Sequence, residues 1–320
     1  MKLLPRLLWV GLVAVLVFVL AGVLATWAPD RKVQELSSRW APAPSAFLAV
    51  GGMQVHYRDE GPRDDAVPLI LLHGTSASLQ TWDGWVEALK PRRRVIRLDL
   101  PAFGLTGPHP ANDYSIESYV QVVAAFASAL GVEKFALAGN SLGGQIAWAT
   151  AVQFPKRVQR LVLVDAAGYP MQPQSIPIGF QLARMPGVRL LMEWVLPRGV
   201  IQSSVRNVYG DPDRVTAALV DRYYELTLRE GNRRALGYRV EQMQKANLAQ
   251  DAAAIKTLKL PTLIIWGGKD RLIPVENAHR FAADIVGSRL LVLESLGHVP
   301  HEEDAATTVR EVDRFLDAAQ

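Results

Sequence analysis

A chain of 320 residues, 49% apolar and 21% charged, can bury a core without disulfide or metal support, and this make-up excludes a disordered or fibrous protein. The lack of cysteine excludes a disulfide scaffold, a thiolate zinc site and a cysteine nucleophile. The formal net charge of +4 gathers in two regions, +3 over residues 1–46 and +4 over residues 170–250. Neither holds a run of five like charges, so the sequence argues against a nucleic-acid partner.

Leu7 to Trp27 are 21 residues without a charge, mostly Leu, Val and Ala. A bilayer core takes about 20 apolar residues as helix, so residues 1–27 are expected to form a transmembrane signal anchor. The competing reading, a cleaved signal peptide, has an apolar region of only about 7–15 residues, and bulky Trp27 stands where cleavage wants a small residue. Lys2 and Arg6 favour a cytoplasmic N-terminus, which would put the body on the periplasmic or extracellular side; Arg31, Lys32 and Arg39 weigh the other way. Residues 28–46, with Pro29, Pro42 and Pro44, read as a stiff, extended spacer.

From residue 47 the chain alternates short apolar runs with helical patterns. Phe47–Val50 and Met53–Asp59 flank Gly51-Gly52, a hairpin signature. Further strand-like runs are Pro68–Leu72, Arg94–Leu100, Phe135–Ala138, Arg160–Val164, Leu260–Trp266 and Leu290–Leu293. Helical patterns cover Ser115–Leu130, Leu142–Phe154, Val275–Ile285 and Ala305–Ala318. Apolar runs joined by helices predict an α/β fold with a mostly parallel, doubly wound sheet, whose ligand sites gather at the carboxyl ends of strands. Residues 169–250 break the alternation with helical, Pro- and Arg-rich sequence, and Gly179–Leu196 is especially apolar. They read as an inserted helical cap that divides the core into residues 47–168 and 251–320.

Gly139-Asn140-Ser141-Leu142-Gly143 fits the G-x-S-x-G nucleophile elbow. Alone the match is weak. Here a strand leads into it and a helix leaves it, which places Ser141 on a sharp turn above a helix N-terminus. A serine hydroxyl needs a base to take its proton. His298 sits in a loop between the last strand and the last helix, the right edge of the sheet for that role. His73 reads as a loop-orienting residue, His56 falls in the hairpin, His109 and His279 read as loop or helix surface, and His301 reads as solvated surface. The imidazole needs a carboxylate. Asp270, after the strand Leu260–Trp266, is preferred over Asp165, which occupies a similar place one strand earlier. For the oxyanion, the expected donors are the N–H groups of Leu142 and Thr75, in a loop that starts at His73-Gly74. Neither metal nor organic cofactor is expected, and no phosphate-binding glycine motif occurs.

His73-Gly74, DLPAFGLT at residues 99–106, GNSLGG, GGKDRLIP at residues 267–274 and GHVPHEE occur in order across the body. Together they resemble the α/β-hydrolase family from about residue 46 to the end. Ala102 and Thr106 stand where that family usually has Gly and Ser, both away from the triad. The resemblance implies a cap after the sixth strand. A serine elbow is unlike the aspartate elbow of epoxide hydrolases and haloalkane dehalogenases.

The leading functional expectation is a serine hydrolase of lipophilic carboxylic esters, similar in layout to membrane-anchored monoacylglycerol-lipase-like members, with membrane lipid as a partner through the anchor and the basic cap. The alternative is a carbon–carbon bond hydrolase of ring-cleavage products, which GNSLGG also resembles. Against it, those enzymes usually carry Trp where Val299 stands and a Gly-Pro-Gly loop where Thr75-Ser76-Ala77 stands. Perhydrolase-like side activity is a lesser option. A reading from another class is a membrane-tethered binder on a hydrolase shell, against which the intact triad speaks.

Overall fold

In a computed structural model, residues 3–245 and 252–318 are described, without the side chains of residues 3–8, 10, 19 and 186. Eight strands form one sheet: β1 (Ala46–Val50), β2 (Met53–Glu60), β3 (Leu69–Leu72), β4 (Val95–Leu98), β5 (Phe135–Asn140), β6 (Val158–Val164), β7 (Thr262–Gly267) and β8 (Arg289–Leu293). Their spatial order is β1-β2-β4-β3-β5-β6-β7-β8. β1, β2 and β4 pair antiparallel, and every pairing from β4 to β8 is parallel.

The central strands are mostly apolar because both faces are covered. In β3, Ile70 and Leu72 point into a core shared with Phe126, Leu137 and Ile146. Leu69 and Leu71 point the other way, into a core with Trp82, Trp85, Val309 and Phe315. The first layer is closed by α4 (Ile116–Ala129) and α5 (Leu142–Gln153), with α11 (Glu276–Asp284) packed nearby. The second is closed by α3 (Asp83–Leu89) and α13 (Ala305–Asp317), preceded by the single turn α12 (Pro300–Glu303). Local chemistry starts these helices: Ser115 caps α4 by accepting from the Ser118 N–H, and Asp304 caps α13 by accepting from the Thr307 N–H.

Between β6 and β7 the chain builds the helices α6 (Ile178–Ala183), α7 (Pro186–Leu191), α8 (Arg198–Val208), α9 (Ala217–Thr227) and α10 (Asn232–Lys245). This helical insertion lies over the carboxyl ends of the strands, as its lining of the central cavity shows. Its expected end at residue 250 lies outside the described residues.

The N-terminal segment departs from expectation. Residues 28–46 are not an extended spacer, since Val33–Trp40 forms the helix α2. Leu36 is buried against Leu105 and Leu226, and the Trp40 indole N–H donates to Glu225 at 2.8 Å, with Arg39 paired to the same carboxylate. The Ala28 N–H donates to Trp194 O and the Leu196 N–H to Thr26 O, both at 2.9 Å, while Asp30 pairs with the buried guanidinium of Arg233. Three prolines suggest extension. The cap supplies the apolar seat and counter-charges that make a two-turn helix worthwhile, and an eight-residue helix needs such tertiary support.

Preceding it is α1 (Leu3–Ala25), whose Trp9, Leu12, Val13, Leu16, Val17, Phe18, Leu20 and Leu24 are exposed. Among the described residues no helix is long and apolar enough to cross a membrane, the described side chains of α1 being interrupted at residues 10 and 19. The transmembrane helix expected over residues 1–27 is therefore not shown by the structure.

Candidate active site

Ser141 stands between β5 and α5 with φ 54° and ψ −116°, a backbone conformation that L-residues rarely adopt. The turn is so tight that a Cβ on Gly139 would lie 2.1 Å from Gly143 O, and one on Gly143 2.2 Å from Leu72 O. This close approach explains the glycines flanking the serine. It also turns the Ser141 side chain out of the sheet, with the unbonded first N–H groups of α5 beneath it.

His298 and Asp270 lie together. Nδ1 of His298 lies 2.7 Å from Oδ2 of Asp270, whose Oδ1 accepts from the N–H groups of Leu272 and Ile273 at 2.8 and 2.9 Å. With Nδ1 donating to this carboxylate, Nε2 carries the lone pair. His298 and Ser141 both line one cavity, which measures about 1030 Å³ with its open mouth. Its floor includes Gly74 and Thr75; Phe180, Met192, Leu196 and Val205 of the insertion form an apolar roof. Gly74 approaches the nucleophile closely, because a Cβ there would meet Ser141 Cβ at 3.1 Å and Asn140 Oδ1 at 2.9 Å. Thr75 follows Gly74 and lines the cavity with Ser141, and Leu142 opens α5.

The other histidines fall elsewhere. His73 does not line the cavity: it is wholly buried, Nδ1 donates to Gly74 O at 2.7 Å and Nε2 accepts from the Leu100 N–H at 2.9 Å. Burial lowers its pKa, so a neutral ring shapes the loop that bears Thr75 rather than touching substrate. His56 is buried on Asp99. His301, expected on the surface, is 1% exposed and lies against the Trp82 ring with centroids 4.0 Å apart. Its pKa is lowered well below the usual imidazole range, first by burial and then by His298.

Asp165, the rival acid, makes no hydrogen bond to His298. It accepts from the Gly267 N–H at 2.9 Å, and ligand atoms of Asp165, Asp270 and His298 all lie within 4.8 Å of one another. Burial, followed by the Asp270 charge, raises the Asp165 pKa well above the usual carboxylate range. The cluster thus joins a buried acid of raised pKa to one hydrogen-bonded Asp–His pair.

Two supports had no sequence signal. Asn140, inside the elbow motif, donates through Nδ2 to Val164 O and to His298 O at 3.1 and 3.0 Å, tying the elbow to the histidine loop. Glu303, in the acidic run after His298, accepts from the Gly297 N–H at 2.9 Å. In sequence such an Asn or Glu passes for a solvated side chain until its partners are placed.

This arrangement can activate a hydroxyl and stabilise an oxyanion. The sequence matches the alpha/beta hydrolase fold family over residues 67–305. The chain is an α/β hydrolase. It is 30% identical to a 2-hydroxy-6-oxo-2,4-heptadienoate hydrolase of Pseudomonas putida, over 85% of this chain and 96% of that protein. Among solved structures, a meta-cleavage product hydrolase from Pseudomonas fluorescens is 27% identical, with a TM-score of 0.74 over 85% of this hydrolase and 97% of that chain. A membrane phospholipase A, described as a bacterial virulence factor, is also 27% identical. Its TM-score is 0.70 over 99% of this chain and 98% of its own.

Proposed function

We propose that this hydrolase cleaves lipophilic carboxylic esters through an acyl-enzyme, with Ser141 as nucleophile, His298 as general base and acid, and Asp270 as the ionised partner of His298. The observation that carries the reading is the strained Ser141 at the foot of an apolar cavity it shares with His298. Ser141 Oγ attacks the acyl carbon as His298 Nε2 takes its proton. The oxyanion is met by the Leu142 and Thr75 N–H groups, and His298 returns the proton to the leaving alcohol. Water activated by the same imidazole then releases the acid, and no metal or organic cofactor enters the scheme. The apolar roof suits an acyl chain.

The exposed apolar side chains of α1 support a membrane anchor, as does likeness to a membrane phospholipase A over nearly the full chain. In this reading residues 1–27 anchor the chain in the bilayer, the body lies on the extracytoplasmic side, and the basic cap faces anionic head groups. Alkaline carbonate extraction and protease protection of spheroplasts test it: release by carbonate removes the anchor, and protection of the body reverses the orientation.

The ester reading is tested with p-nitrophenyl esters of graded chain length on wild type, Ser141→Ala, His298→Ala and Asp270→Asn. The expected result is turnover abolished in the first two variants and a trace in the third. No wild-type turnover, or turnover surviving Ser141→Ala, refutes it. A second reading, carbon–carbon hydrolysis of ring-cleavage products, is supported by the likeness to the two Pseudomonas hydrolases. A vinylogous diketone followed spectrophotometrically separates the two. Irreversible labelling of Ser141 by a fluorophosphonate excludes a mere binder.

A further inference from the structure

We propose that Glu303 is a positioning residue, whose carboxylate fastens the loop carrying His298 to the cap loop 208–211 so that the base is in place only when the cap is seated. The inference rests on the triad reading above and concerns how the triad is held.

Glu303 is 8% exposed and uses both carboxylate oxygens. Oε2 accepts from the Gly297 N–H and the Gly210 N–H, each at 2.9 Å, and Oε1 accepts from the Asp211 N–H at 2.8 Å. One donor belongs to the residue before His298 and the other two to the cap. Beside this clamp the His298 N–H donates to Val208 O at 2.8 Å, and Arg214 of the cap donates to Glu303 O at 2.8 Å. The two loops touch through bare backbone: a Cβ on Gly210 would lie 2.6 Å from Gly297 N, and one on Gly297 2.4 Å from Gly210 N. Apolar packing of Val205 and Tyr209 against Val299 completes the joint.

The cap half of the joint is the C-terminal end of α8, whose Val205 and Val208 also line the cavity. Whatever displaces α8 therefore pulls on the backbone of the catalytic base. An anionic acceptor suits the place because three N–H donors converge on it and charge-assisted bonds are the stronger kind. Glutamine has one acceptor oxygen for three donors and would turn an NH2 group toward at least one of them.

The test compares the full-length wild type with Glu303→Gln, Gly210→Ala and the double variant. Rates are normalised to sites titrated by a fluorophosphonate. The expected result for each single variant is kcat per titrated site lower by about 10- to 100-fold with KM within about twofold, as a displaced base requires. The double variant should lose no more than the worse single one, because both loosen one joint. Hydrogen exchange of segments 294–299 and 205–211 should rise together in Glu303→Gln. Unchanged kcat per site, a loss confined to the number of titratable sites, additive effects, or faster exchange in one segment alone would each overturn the proposal. If Glu303→Gln does not fold, Gly210→Ala decides by the same kcat and KM split. Loss of labelling in the wild type would instead refute the triad reading, and the exchange data would still decide the coupling.

Discussion

Asp165→Asn probes the buried carboxyl pair through stability rather than turnover. Asp165 is wholly buried, and burial with the Asp270 charge holds it protonated well above the usual carboxylate range. The folded chain therefore keeps a proton that the unfolded chain gives up above about pH 4. A carboxyl whose folded pKa is raised contributes stability that is full below the unfolded pKa. That contribution is lost as pH rises toward the folded value. One retained proton makes the slope about 1.4 kcal/mol per pH unit, or about 2.7 kcal/mol between pH 5 and pH 7 if Asp165 keeps its proton throughout. Asparagine does not titrate and can still accept the Gly267 N–H through Oδ1. Urea unfolding of full-length wild type and Asp165→Asn at pH 5, 6 and 7 should show the variant gaining on the wild type by up to that slope. Parallel curves would mean that Asp165 is ionised in the folded protein, and the account of a neutral acid beside Asp270 would fall.

Gly74→Ala forces a methyl to within 2.9 Å of Asn140 Oδ1 and 3.1 Å of Ser141 Cβ. The Thr75 N–H and the nucleophile must then shift apart, with an expected fall in kcat of about 10²-fold at little change in melting temperature. Leu36→Ala empties a site that is 1% exposed between α2, Leu105 and Leu226, and should cost about 2–5 kcal/mol in chemical unfolding. A cost under about 1 kcal/mol would mean that α2 is not seated as described.

The sheet was legible because its central strands are buried on both faces, so runs such as residues 161–164 and 263–266 are apolar without interruption. The elbow was legible because glycine is the only residue that fits where Gly139 and Gly143 approach other backbone. His298 and Asp270 could be named because each follows a strand at the edge where ligand sites gather. What escaped depends on distant partners. His301 lies three positions after His298, and nothing in the local pattern tells that Trp82 and Trp85 fold over it. The helix at residues 33–40 draws its support from Leu105, Glu225 and Leu226, about 70 to 190 residues away. Asp165 and Asp270 each follow a strand in sequence, and the structure places His298 Nδ1 against Asp270.

The attachment of residues 26–40 to the cap bears on where a trimmed form of this hydrolase can begin. A start at Ala46 keeps every strand, yet it uncovers Leu196, Leu226 and Leu228 and takes Asp30 away from Arg233, whose side chain is 4% exposed. The stranded guanidinium alone would cost about 2–3 kcal/mol, toward the low end for a buried pair because Asp30 is partly exposed. A start at Thr26 keeps that cover and leaves out α1. Residues 26–40 are thus a piece of the cap that the chain happens to make first.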